Sequence, residues 1–149
     1  MDLIAQNKKA RFEYFIEDTF EAGIALKGSE IKSVRLKKVN LTDAYVLVKD
    51  GEAFIINMHI STYAFSSLFN HDETRRRKLL LHKHEINKLE SKKKLNGLTI
   101  IPLRMYIKDG LAKIEIALAK GKKLHDKRHD LQTKDMNLRL KKIHKRGQS

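Results

Sequence analysis

Hydrophobic and polar residues alternate along the segment Arg11–Phe20, which reads RFEYFIEDTF. Phe12, Tyr14 and Ile16 lie on one face of this segment, and glutamates dominate the other face. A period of two residues is typical of a β-strand with one buried face. The run Gly23–Gly28, which reads GIALKG, is short, apolar and bounded by glycines, and it predicts a second strand.

Two further pairs of strands are indicated by Asp-Gly dipeptides. Asp50-Gly51 stands within AYVLVKDGEAFIINM, and Asp109-Gly110 stands within IIPLRMYIKDGLAKIEIAL. An Asp-Gly pair adopts positive φ at low steric cost, which a tight hairpin turn requires. Each segment therefore predicts a β-hairpin.

Two segments have helical spacing instead. SEIKSVRLKK offers Ser29 as an N-cap, with Ile31 and Val34 on one face. HKHEINKLESKKKLNG places Ile86 and Leu89 towards the core, and its final Asn-Gly pair is expected to end the helix. Both segments are predicted to be short helices.

These elements predict a mainly β fold, with roughly six strands in series joined mainly by hairpins. We expect an OB-type antiparallel β-barrel with two to three short helices and a basic C-terminal tail. A flat meander with helices on one face is the alternative.

Composition favours a polyanionic partner. The chain has 149 residues, of which 32 are Lys or Arg and 18 are Asp or Glu, so its formal net charge is +14. Such an excess favours nucleic acid first and an anionic membrane second. Cysteine is absent, which excludes disulfides and thiolate sites. No signal-peptide core or membrane-spanning apolar run is evident, so we expect a cytoplasmic protein.

The basic charge is concentrated after Ala119. Residues 120–149 contain eleven Lys or Arg and three Asp, so this segment carries +8 of the total. It has no aromatic residue, but a weak helical pattern remains. We expect two parts: a barrel domain over residues 1–119, and a basic tail over residues 120–149 that is flexible when free and folds on RNA.

The stretch KGKKLHDKRHD, residues 120–130, places His125 and His129 at the spacing of a zinc-binding helix. The surrounding cations oppose a divalent metal, and Asp126 stands where that motif has its glutamate. The alternatives are solvated histidines on a mobile tail or an RNA contact by His125, which we favour, with His129 incidental. Gly121 is interpreted as the hinge where the last strand releases the tail.

The stretch ETRRRKLLLHKHE is open to two interpretations. Arg75–Lys78 form either a basic loop that leads into a buried turn or a grip on a phosphate backbone. Glu30 is expected to favour the first turn of its helix. Glu21 has no such local role, and a carboxylate on an RNA surface can accept from a base amino group or a ribose hydroxyl.

Four segments, in this order, resemble the family of SmpB, the bacterial small protein B that binds transfer-messenger RNA. They are NKKARFEYFIEDTFEAGIALKGSEIKSVR, LTDAYVLVKDGEAFI, RRRKLLLHKHEI and LAKGKKLHDKR, and the match runs from about Asn7 to Arg128. The resemblance implies an OB-type barrel with appended helices. It also implies binding to the tRNA-like domain of transfer-messenger RNA and its delivery to stalled ribosomes, where the nascent peptide is tagged. The tail, residues 120–149, would be helical on the ribosome and would occupy the decoding centre and mRNA channel of the small subunit.

The resemblance also implies roles for single residues. Glu21 corresponds to the family's acidic RNA contact, Leu80 to its apolar contact, and His82 to a position where some members carry Asn. His125 corresponds to the decoding-centre histidine, and Met136 stands where some relatives carry Trp. The basic residues expected on the same RNA are Lys8, Arg11, Lys32, Arg35 and Lys78. The tail residues expected at the decoding centre are Gly121, Lys122, Lys123, His125, Asp126, Lys127, Arg128 and Ile143.

The sequence therefore predicts a monomeric RNA-binding adaptor of ribosome rescue, with no catalytic residues, metal or cofactor and no membrane partner. One alternative is a basic ribosome-associated protein that binds ribosomal RNA only. The other is a metal-dependent RNA hydrolase, although no nucleophile motif is present.

Overall fold

The computed structural model describes residues 1–62 and 72–122. Within these ranges the chain forms three helices and nine strands, so the fold is mainly β. The strands are β1 (Asp2–Gln6), β2 (Tyr14–Ile24), β3 (Val39–Asn40), β4 (Tyr45–Lys49), β5 (Glu52–Ile56), β6 (His59–Ile60), β7 (Arg77–Leu80), β8 (Thr99–Lys108) and β9 (Leu111–Gly121). The helices are α1 (Ala10–Glu13), α2 (Gly28–Arg35) and α3 (Lys83–Asn96).

Seven strands form one antiparallel sheet in the order β1-β8-β9-β2-β7-β5-β4, and β3 pairs with β6 as a separate ribbon. Although β4 is an outer strand of this order, it also packs against β8 near the other edge. The sheet therefore curls round on itself, as in an OB-like barrel, but its two edge strands are not hydrogen-bonded to each other in the described ranges. The expected fold class is confirmed.

The inner face of the curled sheet forms the core. Alternate residues of each strand point inwards, and α2 and α3 close the barrel with one or two apolar side chains each. The most deeply buried members are Ala22, Val34, Val46, Ala53, Ile55, Met58, Ile60, Leu79, Leu89, Ile100, Met105, Ile114, Ile116 and Leu118. The opposite face of β8 and β9 holds a second, smaller buried cluster of Ala10, Ile101, Leu103, Ala117 and Ala119, and the rest of the outer face carries polar residues and a few exposed apolar ones.

The first strand prediction was partly wrong. Arg11 begins no strand, because Ala10–Glu13 form a helical turn whose buried Ala10 packs against Leu103 and neighbouring alanines. β2 then runs unbroken to Ile24, so the two predicted strands are one. Gly23 does not end it, because the residue pairs with strands on both sides.

Both predicted hairpins are confirmed. β4 pairs with β5 and β8 pairs with β9, each across its Asp-Gly turn. Asp50 and Gly51 have φ values of 54° and 74°, and Asp109 and Gly110 have 54° and 76°. Positive φ at both central positions is the geometry of a type I′ turn, whose twist matches that of the flanking strands.

The two predicted helices are present with adjusted starts. The N-cap of α2 is Lys27 rather than Ser29, and the Glu30 carboxylate accepts a hydrogen bond from the Lys27 amide at 2.8 Å. α3 buries Ile86 and Leu89 as expected and ends at Gly97, whose φ of 60° is left-handed.

The expected series of about six strands was incomplete. The sequence interpretation missed β1 and β7 and the short ribbon of β3 and β6, and most neighbours in the sheet are not consecutive in the chain. β7 lies between β2 and β5 and completes the middle of the sheet. Its first residue, Arg77, is fully buried, and a buried charge in a short segment does not resemble a strand from sequence alone.

Candidate nucleic-acid interface

The outer face of the sheet brings distant residues into two rows. In one row Leu80 of β7 lies opposite Gly23 of β2, and Gly23 lies opposite Lys113 of β9. In the adjacent row Glu21 of β2 lies opposite Glu115 of β9, which lies opposite Arg104 of β8. Strand pairing alone therefore places two predicted RNA contacts, Glu21 and Leu80, on the same outer face.

The side chain of Glu21 is held by a tyrosine on β8, which lies two strands away from β2 in the sheet. The Tyr106 hydroxyl donates a hydrogen bond to Glu21 Oε2, and Lys108 Nζ lies 3.8 Å from the same oxygen. The Tyr106 hydrogen bond lowers the pKa of the Glu21 carboxyl, with help from Lys108, Lys113 and Arg104. The carboxylate stays ionised, oriented and 42% exposed, which suits an acceptor on a binding surface.

Tyr106 itself is fixed in a donating state. Its side chain is almost fully buried, and the Arg104 guanidinium carbon lies 5.3 Å from the centroid of its ring. Burial, followed by the hydrogen bond to Glu21, raises the pKa of Tyr106 to about 12. The phenol therefore keeps its proton throughout the physiological range and continues to donate to Glu21.

Leu80 lies over a glycine of the neighbouring strand. A Cβ atom on Gly23 would lie only 3.2 Å from the Leu80 Cβ. The absence of a side chain at position 23 lets Leu80 lie against the strand while 55% of the residue remains accessible. Leu80 forms a ridge between two grooves.

The larger of these two grooves, here called the mixed groove, has a volume of about 780 Å³. It lies between β2, β7, the β4–β5 turn and the start of α3. Its lining includes Glu21, Gly23, Glu52, Lys78, Leu80, His82, Lys83 and Lys113. Four of the eight residues predicted to bind the tRNA-like RNA are therefore brought together here.

Lys113 is a groove residue that the sequence interpretation missed. It lies next to Gly23 and contributes to the lowered pKa of Glu21. The sequence did contain a signal for this residue. Side chains alternate between the two faces of a strand, and counting from the Asp109-Gly110 turn places Lys113 on the polar face of β9.

The other two predicted residues of the mixed groove make local contacts. Lys78 Nζ lies 3.3 Å from Glu52 Oε1, with both side chains about half exposed. His82 caps α3, and its ring stacks on the His84 ring with the centroids 5.5 Å apart. Both side chains stay at the surface, where RNA can reach them.

Lys8 and Arg11 lie in a different place, the N-terminal groove, whose volume is about 510 Å³. Arg104 and Glu115 also line this groove. Since Glu115 lies beside Glu21, the N-terminal groove continues the same outer face towards the start of the chain.

The predicted residues of α2 are divided. Arg35 lines a third, smaller groove on the far side of the Leu80 ridge, here called the apolar groove. Lys32 is exposed on α2 and lines none of these three grooves.

The arginine triplet has mainly a structural role. The fully buried Arg77 donates to Glu30 Oε2 at 2.5 Å, and Arg75 donates to both oxygens of the same carboxylate. Burial opposes ionisation of Glu30, but hydrogen bonds from Arg75, the Lys27 amide and Arg77 outweigh it and lower its pKa. Of the triplet, only Arg76 is left fully on the surface, 4.4 Å over the Phe54 ring.

The described chain ends where the predicted tail begins. β9 runs to Gly121, so Lys120 is still a strand residue, and Lys122 donates from its amide to Glu13 and from Nζ to Arg11. The remaining tail predictions lie outside the described residues, namely Lys123, His125, Asp126, Lys127, Arg128, His129, Met136 and Ile143.

The described residues also bear on two other classes of site. Within them no three His, Cys, Asp or Glu side chains cluster as metal ligands. No helix over the same residues is long and apolar enough to cross a bilayer.

A sequence model of the SmpB protein family matches residues 4–146 of this chain. The chain belongs to the SmpB family. It is 60% identical to the SsrA-binding protein of Geotalea uraniireducens over 134 residues, which cover 90% of this chain and 89% of that protein. It is 56% identical to the SsrA-binding protein of Enterococcus hirae over 138 residues, covering 93% and 90% of the two chains.

A solved structure described as "tmRNA-SmpB: a journey to the center of the bacterial ribosome" has the same fold. Its TM-score is 0.68 at 46% sequence identity, and the match covers 80% of this chain and 85% of that one.

Proposed function

We propose that this member of the SmpB family binds the tRNA-like domain of transfer-messenger RNA and delivers it to stalled ribosomes for trans-translation. The observation that carries the proposal is the mixed groove, where an ionised acceptor, an exposed leucine and lysines share one surface. Relatives named SsrA-binding proteins and a solved tmRNA–SmpB structure support the same partner.

The groove suits a folded RNA for three physical reasons. Lys78 and Lys113 neutralise phosphates, which supplies affinity without sequence preference. Glu21 accepts hydrogen bonds from base amino groups or ribose hydroxyls, which lysine cannot do. Leu80 packs against the base or ribose of an unpaired nucleotide, whose apolar surface is accessible because it is not stacked inside a duplex.

Lys8 and Arg11 extend this footprint along the N-terminal groove. Their cationic heads line the same outer face as Glu21, at the other end of the β2–β9 pair. An RNA that contacts both grooves has its phosphates neutralised at several places on the sheet. Glu21 and Leu80 then recognise the local structure of that RNA. Arg35 and Lys32 on α2 add positive charge beside it.

The tail has a separate role in the proposal. It places His125 at the decoding centre as a stacking group and uses Asp126, Lys127, Arg128 and Ile143 to fill the mRNA channel of the small subunit. The net charge of +8 over residues 120–149 supports this role, because it suits ribosomal RNA. Gly121 and Lys122 start the tail beside α1.

The protein acts in the proposal as a cytoplasmic monomer and does no covalent chemistry. It positions one RNA against another, so its specificity for RNA depends on shape and charge. Neither a cofactor nor a metal takes part.

The RNA-binding part is tested with Glu21→Gln and Leu80→Ala in filter binding to a transcript of the tRNA-like domain. Each variant should weaken binding by about 1–3 kcal/mol, the range for a lost base contact or stacking contact. Leu95→Ala is the matched control, because Leu95 is 82% exposed on α3, outside all three grooves. Unchanged affinity in both test variants would remove the mixed groove from the interface. Retained ribosome binding with no affinity for the tRNA-like RNA would favour a ribosomal-RNA protein instead.

The tail is tested by ending the chain at Lys122. Because the grooves lie entirely within the described barrel, RNA affinity should change by less than about tenfold. Peptide tagging on stalled ribosomes should be lost in a reconstituted translation assay. Tagging at the normal rate by the truncated protein would refute the division into two parts.

A further inference from the structure

The apolar groove lies on the opposite side of the Leu80 ridge from the mixed groove and has a volume of about 260 Å³. One wall is formed by Ile31 and Val34 of α2, and the other by Ile107 and Leu111 of the β8–β9 hairpin. Of the residues predicted to bind the tRNA-like RNA, Arg35 and Leu80 line this groove.

Large apolar side chains are left accessible at this groove in a strongly basic protein. Leu111 is 60% exposed, Leu80 is 55% exposed and Ile31 is 38% exposed. Adjacent exposed apolar residues with a polar rim are typical of binding sites rather than of ordinary surface.

The rim of the apolar groove is purely cationic. Arg35 lies on the α2 side and Lys113 on the β9 side, and no carboxylate from residues 1–62 or 72–122 lines the groove. The mixed groove differs, since Glu21, Asp50, Glu52 and Glu85 all line it. An apolar floor between two cations suits a ligand with a flat apolar body and flanking negative charges, which describes a nucleotide within an RNA strand.

The two grooves are continuous, since Gly23, Leu80 and Lys113 line both of them. An RNA strand in the mixed groove therefore meets the Leu80 ridge and can pass over it. The apolar groove has room for a single base, and unpaired bases are what RNA-binding proteins read most specifically.

We propose that the apolar groove holds one unpaired base of the bound RNA, packed between Ile31 and Leu111, with Arg35 and Lys113 on its flanking phosphates. This proposal rests on the proposed function, because it names the part of the same RNA that occupies the adjoining site. Leu80 then contacts RNA on both of its sides.

Site-specific crosslinking tests the occupant. The chain has no cysteine, so a single introduced cysteine can carry a thiol-reactive benzophenone. We would place it at position 111 by Leu111→Cys, in the mixed groove by Lys83→Cys, and on a distant surface by Leu95→Cys. The probe is a transcript of the tRNA-like domain, and reverse-transcription stops locate the crosslinked nucleotide.

The proposal expects the Leu111→Cys protein to crosslink to one unpaired nucleotide, and the Leu95→Cys protein to give only background. No crosslink from position 111, or one spread over paired nucleotides, would overturn it if position 83 still crosslinks; the proposed function would then stand. No crosslink from either groove, together with no binding in solution, would overturn the proposed function itself.

Affinity gives a second readout. Ile31→Asp places a carboxylate in the apolar groove and should weaken binding of the same transcript about tenfold, the order expected for one lost base contact. Leu95→Asp makes the same chemical change on α3 and should leave affinity unchanged. Thermal unfolding checks that both variants fold, and Leu111→Asp replaces Ile31→Asp if the latter does not. Equal affinity of a folded groove variant and Leu95→Asp would contradict the proposal.

Discussion

Glu21 and Glu30, nine positions apart, are both held by hydrogen bonds, but one carboxylate lies at the surface and the other is buried. Both carboxyls have lowered pKa values and accept hydrogen bonds from side chains distant in sequence. Glu30 is fully buried between Arg75 and Arg77, so its charge joins α2 to the segment before β7. Glu21 keeps 42% of its side chain exposed over Tyr106. The difference teaches that burial, and not charge or pKa alone, separates a structural carboxylate from one available to a ligand.

The largest expected effect is on folding, from Glu30→Gln. Removing this charge leaves Arg77 buried without its ion-pair partner, which should lower the free energy of unfolding by about 3–5 kcal/mol. Urea denaturation measures the loss. Glu90→Gln is the control, because Glu90 pairs with Lys94 on the surface of α3 and should change stability by less than about 1 kcal/mol. A loss of under about 1 kcal/mol in Glu30→Gln would show that the buried network is not structural.

Tyr106→Phe should affect binding and its pH dependence. The Tyr106 hydroxyl holds the pKa of Glu21 below its usual value, so the ionised form persists until the pH falls through that lowered pKa. Without the hydroxyl the pKa of Glu21 should rise, and the acid-side loss of RNA affinity should begin at a higher pH. At neutral pH Glu21 remains ionised, and we expect only about a threefold loss from poorer orientation.

Filter binding of the tRNA-like transcript across the acid range measures this shift. The double variant Glu21→Gln/Tyr106→Phe is the control, because without the carboxylate the hydroxyl should have no further effect. An identical pH profile for Tyr106→Phe and the unmodified protein would show that Tyr106 does not position Glu21.

The smallest effect is expected from a third carboxylate, Glu52, which pairs with Lys78 at the surface. Glu52→Gln should change the free energy of unfolding by less than about 1 kcal/mol. It should also raise RNA affinity by up to about threefold at low salt, since Lys78 is released and a negative charge leaves the mixed groove. The gain should shrink as salt is raised. A fall in affinity would instead show that Glu52 contacts the RNA directly.

Local signals in the sequence were enough to predict much of the barrel. The two Asp-Gly turns and the apolar faces of α2 and α3 depend on neighbours within a few residues, and all four are present. β7 was not predicted, because Arg77 belongs in a core only when Glu30 is there to receive it. That pairing spans 47 positions and exists only in the folded chain.

The candidate site, like the barrel, could be predicted from the sequence only in part. Glu21 and Leu80 were predicted from a family resemblance, yet the physical reasons for their suitability lie elsewhere in the sequence. Tyr106 of β8 orients Glu21, and Gly23 of β2 leaves room for Leu80. No spacing rule links these pairs, since only the strand order of the sheet makes them neighbours.

The close approach of Leu80 to Gly23 has a consequence for substitution at position 23. An added Cβ there would lie 3.2 Å from the Leu80 Cβ, 3.5 Å from its Cδ1 and 3.7 Å from its Cγ, so any other residue would push Leu80 aside by a few tenths of an ångström. Gly23 therefore sets the position of the ridge between the two grooves, although it has no side chain of its own to offer a ligand.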